Sequence, residues 1–277
     1  MKELKGKVVA VTGAASGLGR AMALAFADEG MNVALGDVAD TSDVFAAVEA
    51  KGVSAVSMKL DVSKAQEVEA FAELADKELG GAHVVCNNAG VSPLGATWET
   101  SLGDWQWILG VNLWGVIHGV RSFVPRLMKR NEGHVVNTAS VAGIISPPGS
   151  GAYNVTKHAV VTLSETLHHE LRERSSAVGV SVLCPAYVPT GIADSERNRP
   201  AGLEATLKTK EMLARQQMLK KAVSSGRLSA DDVAKAVVQA VKEDRFYILT
   251  HPRIKGAISA RMEDILQDRP PRNPMSL

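Results

Sequence analysis

Short apolar runs alternate with stretches of helical spacing along the first half of the chain. Residues 7–12 (KVVAVT) read as a strand, followed by a glycine-rich turn and a helical pattern over 18–29 that Gly30 ends. Residues 32–37 (NVALGD), 53–60 and 82–87 (AHVVCN) read as further strands. Helical patterns lie between them, over 41–50 and over 63–79. Gly52 stops the first; Ser63 is the expected cap of the second, and Gly80 and Gly81 end it. The second half continues with a long helical pattern over 101–130, expected to bend near Pro125. A strand at 133–139, a long helix at 151–175 and a strand at 179–184 ending in Pro185 follow. After a polar, arginine-rich stretch at 190–200 come helices at 203–223 and 230–243, a last strand at 245–249, a helix at 254–267 and an irregular tail at 268–277. Strands separated by helices of about a dozen residues predict βαβ units and a parallel sheet. There is no internal repeat or linker, so the pattern predicts one doubly wound α/β domain over 1–277.

Composition narrows the function classes. The 277 residues suffice for a large core, and 31 Lys plus Arg against 30 Asp plus Glu leave a formal charge of +1. That balance gives no reason to expect a nucleic-acid or membrane partner. The two cysteines, Cys86 and Cys184, each close an apolar run and read as reduced core residues, and no metal site is expected. His168 and His169 are adjacent, so they point to different sides of a helix and lack ligand spacing. The N-terminal MKELKGKVV has no apolar h-region, so the expected location is the cytoplasm.

The first chemical signal is TGAASGLG at 12–19, between a strand and a helix. Gly13, Gly17 and Gly19 let the backbone turn sharply and approach a ligand. The free N–H groups and dipole of the next helix then face an anion, as in a dinucleotide site. The second strand ends at Asp37, where an acid accepts hydrogen bonds from ribose hydroxyls and repels a 2′-phosphate. Ser16 stands in the loop where an arginine or lysine would hold that phosphate. Both positions favour NAD over NADP.

Further motifs follow in order: Asp61 and Val62 after the third strand, NNAG at 87–90, Asn112 in the long helix, Ser140 at a strand end, then Tyr153 and Lys157 four residues apart. With TGAASGLG, these motifs make the chain similar to the short-chain dehydrogenase/reductase (SDR) family, in its subclass of chains near this length, over residues 5–250. The resemblance implies a Rossmann-type fold with a sheet of seven strands, matching the seven apolar runs. It implies cofactor contacts from Gly13, Ser16, Gly17, Leu18, Gly19, Asp37, Asp61, Val62, Asn88, Ala89, Gly90, Tyr153, Lys157, Pro185, Val188 and Thr190. Members usually carry Pro-Gly after the sixth strand, whereas this chain has Pro185 and Ala186; the extra methyl group is expected to shift the nicotinamide, not to abolish binding. Members also commonly form homodimers or homotetramers through the two long helices.

The implied catalytic set is Asn112, Ser140, Tyr153 and Lys157. Free tyrosine, with a pKa of about 10, is a poor base at neutral pH. A lysine four residues on lies on the same helical face, and a charge about 4 Å away at an effective dielectric near 20 is worth roughly 4 kcal/mol, about three pKa units. Ser140 would hold the substrate oxygen, and the resemblance gives Asn112 a water that links Lys157 to solvent.

The expected substrate is a hydrophobic, possibly aromatic, secondary alcohol or ketone, because the residues following the motifs are mostly apolar. They are Ser92, Pro93, Leu94, Val141, Ala142, Pro147, Pro148, Tyr187 and Ile192. The segment 190–226 covers the substrate in relatives, and Met212, Leu213, Met218 and Leu219 read either as an apolar lid or as ordinary helix packing. Arg197 and Arg199 read as solvated loop charges, and Trp98, Trp105, Trp107 and Trp114 as helix or subunit packing. Two alternatives stay open: a 3-oxoacyl-carrier-protein-type reductase, against which Asp37 and the near-neutral charge speak, and a catalytically silent dinucleotide-binding regulator.

Overall fold

A seven-stranded parallel sheet in the order β3-β2-β1-β4-β5-β6-β7 organises the chain. The computed structural model describes residues 1–207 and 209–276; Lys208, within the predicted 203–223 helix, and Leu277, the end of the predicted tail, lie outside the described residues. The strands are β1 Val8–Thr12, β2 Asn32–Asp37, β3 Ala55–Lys59, β4 Val84–Asn87, β5 His134–Thr138, β6 Gly179–Leu183 and β7 Tyr247–Ile248. The helices are α1 Gly17–Asp28, α2 Ser42–Glu49, α3 Ala65–Leu79, α4 Leu102–Ile108, α5 Gly115–Arg130, α6 Gly151–Glu173, α7 Lys210–Ser224, α8 Ala230–Glu243 and α9 Ile254–Leu266.

Strand residues alternate between the two faces, and both faces are covered. Val9 and Val11 of β1 pack into one core with α1, α2 and α8, through Met22, Phe26, Val44, Val237 and Val241. Ala10, between them, faces α3, α5 and α6, through Phe71, Phe123, Leu127 and Leu171. This double burial is why the strands read as continuous valine-rich runs. The chain reverses its winding direction between β1 and β4, so a crevice opens beyond their C-terminal ends, where open α/β sheets bind ligands.

Several predicted elements differ. The single helix at 101–130 is broken: α4 runs into a π-helical stretch, Leu109–Trp114, before α5, and Pro125 sits inside α5. Ser63 does not cap α3, which begins at Ala65; its hydroxyl and N–H instead go to the Asp61 carboxylate at 2.7 and 3.0 Å. The 203–223 helix begins only at Lys210, where Thr209 accepts the Met212 N–H. Before it, Gly202 takes φ +86°, and the Asp104 carboxylate holds Thr206 through its N–H (3.1 Å) and its hydroxyl, drawing the chain away from helical pairing. The last strand shortens to two residues at the sheet edge. Residues 269–273 of the tail carry no regular secondary structure, but the Arg272 N–H and Nε donate to Asp264 at 3.1 and 3.0 Å, and Pro274–Ser276 form a 3-10 turn. Cys86 and Cys184 are free and buried. Among the described residues, no helix is long and apolar enough to cross a membrane.

Candidate active site

The crevice beyond β1 and β4 is a cleft of about 300 Å³. Its cofactor end is built from backbone. Thr12 at the end of β1 accepts the Asn88 and Ala89 N–H groups on Oγ1 at 2.9 and 3.1 Å, and Asn88 Nδ2 returns a bond to the Thr12 carbonyl. These bonds hold the NNAG turn against the glycine loop. Gly13 has φ +68°, and a Cβ there would lie 2.8 Å from Ala89 Cα; a Cβ on Gly19 would lie 1.9 Å from the Gly13 carbonyl oxygen. Only glycine fits either place. Ser16 stands at the α1 N-cap with no side-chain cap bond, which leaves the first-turn N–H groups facing the cleft.

Asp37 is nearly buried at the end of β2. Its carboxylate accepts the Ala15 and Ala39 N–H groups, each at 2.9 Å, which fix it beside the glycine loop. Gly13, Ser16, Gly17, Leu18, Asp37, Asp61, Val62, Asn88, Ala89, Gly90, Pro185, Val188 and Thr190 all line the cleft; Gly19 lies beneath it, packed on Gly13. A backbone cradle without Cβ atoms, a helix N-terminus and a fixed acid fit a dinucleotide: the loop would hold its phosphates and Asp37 its adenosine ribose.

Ser140, Tyr153 and Lys157 line the same cleft. Ser140 lies just past β5, where it heads a short 3-10 turn and its Oγ accepts the Ala142 N–H at 3.1 Å. Tyr153 and Lys157 sit in the first turns of α6, with the Lys157 Nζ 5.6 Å from the Tyr153 ring centroid. Lys157 is buried and donates to the Thr138 carbonyl at 2.8 Å. Asn112 lies in the π-helical stretch. Its amide pairs with both backbone groups of Val91, accepting at 2.8 Å and donating at 2.9 Å, so its side chain holds the loop after NNAG against the cleft. A single extra residue in a helix turn is a common way to aim a side chain at a site.

Burial acts on both titratable groups of the set. Burial pushes the Tyr153 phenol up, and the Ser140 hydroxyl beside it acts in the opposite sense. Burial also pulls Lys157 down to about 8. The same desolvation thus works against both ions, each taken alone.

The substrate end holds fewer of the predicted residues. Ile192 lines the cleft. Ser92, Pro93 and Leu94 instead line a small neighbouring pocket with Asp104, Arg199 and Met212. Val141, Ala142, Pro147, Pro148 and Tyr187 lie outside both linings, and Tyr187 is 41% exposed. Val91, Gln106, Trp107, Leu203 and Val223 line the cleft in their place. Trp107 is buried beneath the Arg199 guanidinium, 4.6 Å from its ring centroid. Arg199 is no solvated charge: it bonds Asp104 and both oxygens of Glu196, and these carboxylates hold its pKa above the usual arginine value. With Thr206 also on Asp104, this cluster ties the 191–206 segment to α4. Trp107 was legible only as an aromatic on a helix; its place beside the cleft depends on the π-helical break that follows it. Of the predicted lid residues, Met212 and the half-exposed Leu213 line only the small pocket, and Met218 is exposed.

A family model described as short chain dehydrogenase matches residues 7–201. A short-chain dehydrogenase/reductase from Burkholderia phymatum, solved in complex with NAD, shares 48% identity over the whole of both chains with a TM-score of 0.97. The CLA biosynthesis dehydrogenase/reductase of Lactiplantibacillus plantarum is 30% identical over 98% of this chain and 97% of its own length. The 1-deoxy-11-beta-hydroxypentalenate dehydrogenase of Streptomyces exfoliatus is 33% identical over 98% of this chain and 93% of its own. The glycine cradle, the sheet order and these matches together make this chain a member of the short-chain dehydrogenase/reductase family.

Proposed function

We propose that the protein is an NAD(H)-dependent oxidoreductase that interconverts a hydrophobic secondary alcohol and its ketone, acting on a CH–OH group. The observation that carries this reading is the convergence of Ser140, Tyr153 and Lys157 on one cleft with the glycine cradle and Asp37. When bound, the nicotinamide supplies the hydride acceptor or donor and, oxidised, a positive charge.

The chain's own groups handle the proton. Ser140 holds the substrate oxygen, and the Tyr153 Oη takes the proton from the alcohol or returns it to the ketone oxygen. Burial opposes a lone phenolate or a lone ammonium, but a Tyr153 phenolate beside a Lys157 ammonium offsets much of that cost. Lys157 is held through Thr138, and Asn112 fixes the neighbouring Val91 loop.

The substrate class rests on the apolar lining. Val91, Trp107, Ile192, Leu203 and Val223 line the cleft, the last three from the segment expected to lie over the substrate. A more apolar than polar lining favours a bulky alcohol over a small charged acid. Exposed Trp114 and Val155, beside α5 and on α6, support a homodimer or homotetramer built through these helices. Two free buried thiols suit the reducing cytoplasm.

The test is NADH formation across a panel of bulky secondary alcohols, run with NAD and with NADP. Turnover with apolar alcohols and a kcat/KM favouring NAD are expected. A clear NADP preference or activity confined to small charged acids contradicts the reading. Asp37→Ser should move the NADP-to-NAD ratio of kcat/KM upward by about tenfold, because it removes the acid that repels a 2′-phosphate.

A further inference from the structure

Arg197 reaches the glycine loop from the far side of the sequence. Its Nη2 lies 3.5 Å from the Ser16 Oγ, across a separation of 181 residues. The 3-10 segment Gly191–Asn198 carries it there, and the residue before that segment packs on the loop: a Cβ on Gly17 would lie 3.2 Å from Thr190 Cβ. The guanidinium is held from behind. Its Nη1 donates to the Gly191 and Asp194 carbonyls at 2.7 and 3.0 Å, which fixes the guanidinium and leaves Nη2 beside Ser16. A side chain at Gly191 would crowd it, with a Cβ 2.9 Å from Nη2.

The charge has no carboxylate of its own among the described residues. Of the two acids in its turn, Asp194 pairs with Lys220 of α7 at 2.5 Å and Glu196 with Arg199. Among the described side chains lining the cleft, only Lys157 and Arg197 are cations, and Lys157 is engaged at the Tyr153 end. A free guanidinium edge therefore stands beside the N-terminus of α1, where Ser16 leaves the backbone N–H groups uncapped.

We propose that Arg197 is a diphosphate-binding residue, closing the open side of the glycine cradle with a charge-assisted contact to the bridging phosphates of the dinucleotide. The proposal rests on reading the cleft as a dinucleotide site. A guanidinium edge matches two phosphate oxygens at once, which a lysine cannot do. The 2′-phosphate of NADP is the competing anion, but Asp37, pinned by the Ala15 and Ala39 N–H groups, occupies the ribose side of the loop. Arg197 also sits on the segment Gly191–Asn198, whose Ile192 lines the cleft, so its contact would tie that segment to the bound dinucleotide.

The experiment measures Kd for NADH, ADP-ribose, adenosine and NADPH by calorimetry at low and high salt, for the wild-type chain, Arg197→Ala and Arg197→Lys. Arg197 is exposed, so both variants are expected to unfold at the wild-type temperature. Arg197→Ala should weaken NADH and ADP-ribose about tenfold, leave adenosine unchanged and flatten the salt dependence, while Arg197→Lys keeps part of the affinity. In limited proteolysis, ADP-ribose should protect the 190–226 segment of the wild type and protect it less in Arg197→Ala. NADH binding unchanged in Arg197→Ala overturns the proposal, as does a loss that falls equally on adenosine. A loss confined to NADPH reassigns the contact to the 2′-phosphate and equally overturns it. Failure of the wild-type chain to bind NADH would remove the dinucleotide reading itself, a result distinct from a null effect of the variant.

Discussion

Lys157 is almost fully buried at the cleft wall, and among the described residues the only hydrogen bond its Nζ makes is to the Thr138 carbonyl. Burial therefore lowers its pKa from 10.5 to about 8. The unfolded chain binds this proton more tightly than the folded one between those values. Folding stability from this group thus rises as pH climbs from about 8 to 10.5, and the penalty is fully present below 8. The buried thiols of Cys86 and Cys184, pushed up by desolvation, act in the opposite sense above pH 9, so the effect is read as a difference. Urea unfolding between pH 8 and 10 should show a more positive slope in the wild type than in Lys157→Met. Equal slopes would mean that Lys157 titrates as an exposed side chain. At this scale the residue types and order of the site could be read from sequence, but not the sign of the local field, because desolvation depends on what packs around Tyr153 and Lys157.

Among the elements, the π-helical stretch Leu109–Trp114 does the positioning that the sequence concealed. Apolar spacing runs unbroken through 101–130, so periodicity gives one helix; one extra residue per turn leaves no mark in composition. The stretch turns the Asn112 amide onto both backbone groups of Val91. Asn112→Leu would leave that N–H and carbonyl buried without partners, costing about 2 kcal/mol of stability by urea unfolding. Turnover should also fall, because Val91 lines the cleft. Unchanged stability would show that the amide pair is not maintained in solution. The substrate-side elements were the least legible for a related reason. Gly202 and the hold of Asp104 on Thr206 are long-range and conformational facts, and they delay the α7 start to Lys210. The strand–turn–helix units of the first half, in contrast, are specified locally by valine runs and glycine stops, and they stand where the pattern puts them.

Taken whole, the molecule places its chemistry on the β1–β4 crevice, and its stability depends on the layers beneath. His134 of β5 is one buried link. It is 1% exposed, and its Nε2 and the Ser181 Oγ of β6 lie 2.7 Å apart. Burial, with smaller contributions from the N-terminal charge and Arg172, lowers its pKa from 6.5 to about 3. The unfolded chain takes up a proton that the native chain refuses, so this stability is present above 6.5 and is lost as pH falls toward 3. Compared with His134→Asn, the wild type should lose stability more steeply over that window; parallel acid curves would place His134 in contact with water.

The central claim is that Tyr153 exchanges the proton while the rest of the cleft binds the dinucleotide. The most direct measurement is NADH formation from an apolar secondary alcohol by Tyr153→Phe, with the NADH Kd determined on the same preparation. Turnover reduced by at least about 100-fold, with NADH affinity within a few-fold of wild type, is expected. Retained turnover in Tyr153→Phe, with NADH still bound, would contradict it.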